Sequence, residues 1–148
     1  MRLFALILLF PLVAFAEQHE QAHRHGMRMS ESGIVMNENR DTLPIGCEEI
    51  SREHEFTIHG GKKYAADTPG LAFGMSQHEV NVEPCSRVTV TFVNEDDIRH
   101  QWMVHGLPKY VYPAGMFHLE AMGGHSQTGT FIVPGESKNY LIHCAMSQ

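Results

Sequence analysis

Basic charge, cysteine and tryptophan are all scarce in this chain of 148 residues: 11 Lys+Arg stand against 17 Asp+Glu, with 3 Cys and 1 Trp. A net charge of -6 without a basic cluster argues against a nucleic-acid binder. Charged residues make up only 19% and hydrophobic ones 43%, so the chain can build a core and is not broadly disordered. No apolar run approaches the roughly 20 residues that a membrane-spanning helix needs. A phosphate-binding glycine-rich loop and a G-x-S-x-G nucleophile motif are both missing. The length predicts one domain. What the chain has in excess is 11 His and 9 Met, together 20 of its 148 residues. Imidazole and thioether are both copper ligands, so composition alone raises that metal as a question.

Met1-Arg2 is followed by an apolar run from Leu3 to Ala16 that ends Ala14-Phe15-Ala16. A charged start, a short apolar stretch and an A-x-A site predict a signal peptide over 1–16 and a periplasmic or secreted protein starting at Glu17. Losing Arg2 takes the net charge from -6 to -7. In an oxidising compartment cysteines that can pair do so. Cys47 precedes the first strand candidate, Cys85 follows Pro84 at the start of another, and Cys144 ends the last. The expected bridge is Cys47–Cys85, with Cys144 free; closing that loop contributes about 4 kcal/mol on a chain-entropy estimate.

Residues 17–46 are polar, with no sustained apolar period, and predict a flexible His/Met-rich tail. From Cys47 onward short strands are bounded by Gly, Pro, Asn and Asp: His54–His59, Glu79–Val82, Arg87–Val93, His100–Val104, Thr128–Val133 and Tyr140–Cys144. The stretch near 108–125 breaks the pattern, and Ala114–Met122 predicts a short helix stopped by Gly123-Gly124. Six or more short strands over about 100 residues predict an all-β sandwich or small barrel over 47–148.

Strand parity carries the site argument. Along His100-Gln101-Trp102-Met103-Val104-His105, Trp102 and Val104 favour the core and take His100 with them, while His105 faces the other way. Along Tyr140-Leu141-Ile142-His143-Cys144, the inward set is Tyr140, Ile142 and Cys144, and His143 points outward. An imidazole and an unpaired thiol at strand ends on the interior side make a soft-metal site, of which the His₂Cys blue-copper centre is the known form. These residues resemble the cupredoxins, the plastocyanin and azurin family. Val93–Trp102 is similar to the strand and loop leading to that family's first copper His, and Phe131–Cys144, with Pro134-Gly135-Glu136 inside it, to the hairpin that delivers its copper Cys. The resemblance spans Glu53 to the C-terminus. It implies a Greek-key β-sandwich, copper as cofactor, His100 and Cys144 as ligands, and Gln101 at a position that often hydrogen-bonds the thiolate.

The family continues past its Cys to a second His and usually a Met, whereas only Ala145-Met146-Ser147-Gln148 follow here. The expectation is a chain cut short of its remaining ligands; otherwise a third ligand comes from His143, His105, a partner or water. A second copper argument lies in the tail. Cleavage after Ala16 would expose Glu17-Gln18-His19, whose amine, two amides and imidazole form the planar four-nitrogen set that Cu(II) prefers; His23 and His25, Met27 and Met29 follow. Met116, His118, Met122 and His125 form a weaker patch, with His118 and Met122 on one face if the segment is helical. His54, His59 and His78 show no visible partner.

Three functions follow from these residues: a copper-binding electron carrier with a protein redox partner, a copper-handling protein that buffers or delivers the metal, and a fragment of a multicopper-oxidase-like enzyme. His143-Cys144 is the one feature favouring the last, but position 145 is Ala and the only His-x-His pair is His23-Arg24-His25, so no enzymatic activity is expected. Mass spectrometry of the exported protein should find Glu17 as its first residue; any other start removes the His19 motif.

Overall fold

The computed structural model describes residues 26–67 and 69–146; the signal-peptide segment 1–16 lies outside them. The described residues form an all-β structure of two sheets. The strands are β1 (Arg28–Ser30), β2 (Gly33–Met36), β3 (Glu53–Gly61), β4 (Gly74–Met75), β5 (Arg87–Asn94), β6 (His100–His105), β7 (Met116–Ala121), β8 (Ser126–Ile132) and β9 (Leu141–Met146). One sheet has the order β1-β2-β7-β6-β9 and the other β4-β3-β5-β8. β3 and β5 run parallel, and the other pairs are antiparallel.

The core lies between the sheets, and period-2 alternation builds it. β5 places Val88, Val90 and Phe92 inside and Thr89 and Thr91 outside. The facing sheet contributes Val35, Leu119, Phe117, Trp102 and Val104. Gly129 on β8 is required at the closest approach, because a Cβ there would meet Val35, Leu119 and Phe117 at 2.8–2.9 Å. Cys47 and Cys85 form the expected disulfide and Cys144 is free. The bridge ties the segment before β3 to the turn before β5. Among the described residues no helix is long and apolar enough to cross a membrane.

Three sequence expectations need correction. The tail predicted over 17–46 is part of the fold in its second half: β2 pairs with β7 and Val35 is 0% exposed. Its Gly33-Ile34-Val35-Met36 alternation is only one residue pair deep, too short to register as a period. The segment Ala114–Met122 is not a helix; a 3₁₀ turn at Pro113–Gly115 leads into β7. Phe117, Leu119 and Ala121 face the core, while Met116, His118 and Glu120 face outward beneath neighbouring side chains. β7 lies between β2 and β6 with both edges paired, and its outer-face residues His118 and Glu120 are buried under side chains of the flanking strands. Glu79–Val82 runs as irregular chain, although Val80 and Val82 still pack on the core.

Tyr112 fixes the loop before β7. Its hydroxyl donates to the Ile132 carbonyl at 2.8 Å, and accepts from the Ile132 N–H at 2.8 Å and from Asn39 Nδ2 at 2.9 Å. Burial pushes its pKa up to about 12 from an ordinary 10. The folded state holds this proton more tightly than the unfolded one, so the associated stability is complete below pH 10 and is lost as pH rises towards 12. Tyr112→Phe strands two backbone groups and should cost about 2–3 kcal/mol at neutral pH. Thermal melts should also show a smaller stability loss between pH 10 and 12 in the variant than in the parent.

Candidate metal centre

His100 opens β6 and is wholly buried, with 0% exposure. The loop before it is folded by Asn94, whose Nδ2 donates to the Ile98 carbonyl at 2.7 Å and the Ala121 carbonyl at 2.9 Å. Asn94 Oδ1 accepts the Asp96 N–H at 3.0 Å, turning that residue back towards β6. Asp96 Oδ2 then lies 2.6 Å from His100 Nε2. Partial burial opposes the charge on Asp96, but the Lys62 N–H and the His100 ring outweigh it and hold its pKa below the usual carboxylate value. An ionised carboxylate only accepts, so Nε2 carries the ring proton and Nδ1 presents a lone pair. His100 Nδ1 is buried and has no hydrogen-bond partner. Phe73 packs on the ring, with centroids 4.7 Å apart.

Cys144 lies on β9 directly opposite Trp102, and His100 is opposite Met146. His100 and Cys144 therefore occupy adjacent rungs of the same inner face, and Cys144 packs against the core. The backbone of Gln101 favours the thiolate form of Cys144, whereas the Gln101 side chain donates to Glu120 Oε2 at 2.7 Å. Burial pushes the thiol pKa up to about 12, with the nearby Asp96 charge adding to the rise. At neutral pH the thiol keeps its proton unless a cation takes the proton's place.

A soft metal fits these two groups. An imidazole whose Nε2 is clamped by a carboxylate, with its Nδ1 buried and unpartnered, has the usual support of a metal-ligating His. The half-buried free thiol of Cys144 is a second, softer donor type. Among the described residues no three His, Cys, Asp or Glu side chains converge closely enough to hold an ion by themselves.

His105 and His143 do not complete the pair. Both stand on the opposite face of the sheet, where their Nε2 atoms are 2.9 Å apart, so the alternative of a third ligand from either is set aside. His118 sits on that outer face as well, with Nδ1 3.2 Å from Met36 Sδ. The shared helical face of His118 and Met122 does not form, because β7 ends at Ala121. His19, His23 and His25 lie outside the described residues. His54 and His59, expected without partners, meet Glu83 at 2.7 Å and Glu95 at 2.6 Å. Asp96 is the functional residue that sequence reading missed. Its only signal was an acidic run, Glu95-Asp96-Asp97, ahead of a buried His.

Asp96→Asn should release the fixed tautomer of His100. Nitrogen-15 shifts of the ring should show a protonated Nε2 in the parent and a mixture in the variant, with about 1–2 kcal/mol of lost stability. A parent ring protonated on Nδ1 would overturn the donor assignment. No protein-family model matches the chain, and no curated protein matches it either.

Proposed function

We propose that this protein is an exported, cupredoxin-like copper protein that carries electrons, with His100 Nδ1 and Cys144 Sγ as two of its copper ligands. The observation that carries the reading is the buried, unpartnered Nδ1 of His100, held in its donor tautomer by Asp96 on the same inner face as the free thiol. The two-sheet all-β architecture is compatible with the Greek-key sandwich that the sequence resemblance implies. The disulfide suits the oxidising compartment into which a signal peptide over 1–16 would deliver the chain. Remaining ligands would come from outside the described residues or from water.

Copper held by imidazole and thiolate cycles between Cu(II) and Cu(I), which is the one-electron chemistry the reading needs. The chain's own residues prepare for it. Asp96 orients the imidazole and keeps its proton on the far nitrogen. The Gln101 backbone lowers the energy of a thiolate on Cys144. Trp102 and Phe73 wall the donors from water, which limits the reorganisation that accompanies a change of charge.

A copper-handling role is the second reading, and the tail favours it. His19, His23 and His25, with Met27 and Met29, supply donors for both oxidation states in a short exposed-type sequence. The two readings separate by spectroscopy. The oxidised, copper-loaded full-length protein should show an intense visible thiolate-to-copper charge-transfer band that Cys144→Ser abolishes and that a reductant bleaches reversibly. A colourless protein that nevertheless binds copper would sink the electron-carrier reading and leave the handling one.

A further inference from the structure

The outer face of the five-stranded sheet carries a second set of soft donors. Register puts Met36, His118, Met103 and His143 in one row across β2, β7, β6 and β9. The next row holds Met116 and His105, with Leu141 at its edge. Solvent-side rows of a sheet usually carry Thr, Lys or Glu; these two carry imidazoles and thioethers.

Three observations distinguish this patch from chance composition. His105 and His143 meet through their Nε2 atoms at 2.9 Å, with ring planes only 7° apart. Two nitrogens bound to one ion at about 2.0–2.1 Å would stand about 2.9–3.4 Å apart, so the pair is already spaced as two ligands of one metal. Second, His118 is 6% exposed although it is on an outer face, and its Nε2 is buried with no hydrogen-bond partner. Its Nδ1 faces Met36 Sδ, a weak acceptor, which leaves the proton on Nδ1 and the lone pair on Nε2. Third, Met103 stands directly opposite both His118 and His143. Glu120, on the same outer face, is engaged by Arg99 at 3.2 Å and by Gln101.

We propose that His105, His143 and the Met103 thioether, with His118 beside them, form a Cu(I) site on the outer face of the sheet, separate from the inner His100–Cys144 pair. Imidazole plus thioether without carboxylate selects a soft monovalent ion over Zn(II), Mg(II) or Ca(II). Among the described residues no third His, Cys, Asp or Glu joins His105 and His143 closely enough to hold an ion, and the Met103 thioether opposite His143 is the donor this site would add. Met36 acts as a positioning residue that holds the His118 ring. This site stands independently of the electron-carrier reading, because it shares no donor with it.

Anaerobic titration of the full-length protein with Cu(I), against a coloured Cu(I) chelator, tests the proposal. Cys144→Ser should keep an outer-face equivalent of Cu(I), and adding His105→Ala and His143→Ala should remove that one equivalent. The tail is unchanged in every variant, so its contribution cancels. Met103→Leu conserves volume and fold and should weaken the outer site by tenfold or more. With Ag(I) as a redox-inert probe, the His118 ring nitrogens should shift in the parent and not in the triple variant. The same Cu(I) stoichiometry and affinity with and without His105 and His143 would overturn the site, and full affinity in Met103→Leu would overturn the thioether donor. The visible charge-transfer band reports only on Cys144, so failure of the inner site and failure of the outer one are read separately.

Discussion

The register of β6 against β7 and β9 decides which chemistry stands on which side of the five-stranded sheet. His100, Trp102 and Val104 face the core because their partners Ala121, Leu119 and Phe117 do. Gln101, Met103 and His105 are forced to the other face by the same ladder. A slip of one residue would bury Met103 and His105 and expel Trp102, so the cost of misregister is the loss of a wholly buried indole from the core. The indole thus fixes the position of the two donors nearest it on the inner face, His100 along its own strand and Cys144 directly across from it.

That placement is unfavourable for the groups concerned. A buried imidazole nitrogen without a partner costs about 1–3 kcal/mol, and a thiol whose pKa reaches about 12 cannot ionise near neutrality on its own. The rest of the core offsets this: Phe92, Phe117, Leu119 and Ile58 are wholly buried beside it, and the Cys47–Cys85 bridge restricts the unfolded chain. Asp96 shows the same trade. It gives up hydration to hold His100, and the Lys62 N–H keeps its charge affordable in that position.

What was legible in the sequence was whatever period 2 could carry over five or more residues. β5, β6 and β9 were readable because Val88-Val90-Phe92, Trp102-Val104 and Tyr140-Ile142-Cys144 each repeat an inward residue, and so the inner placement of His100 and Cys144 was readable with them. β2 was hidden by its length; β7 does alternate Phe117, Leu119 and Ala121 with Met116, His118 and Glu120, but the Gly123-Gly124 pair that follows it imitates a helix stop. Asp96 cannot be paired with His100 from sequence, because the contact depends on Asn94 folding the loop through the Ala121 carbonyl on β7, a strand whose own sequence predicts a helix.

The outer row was invisible for a deeper reason. Met36, His118, Met103 and His143 come from four strands, and no spacing within any one segment brings them together. Two of the residues that supply the row adjoin inner-face residues: His143 precedes Cys144 in the chain, and Met103 follows Trp102, which lies across from Cys144. Consecutive residues of a strand point to opposite faces, so no side chain here can serve both sides. A sheet that assigns its thiol to one face and the Met36, Met103 and Met116 thioethers to the other has separated a donor that forms a charged thiolate from donors that stay neutral. On the proposed reading, a thiolate on the inner face matches a copper ion that changes charge, and neutral donors on the outer face match one that stays monovalent.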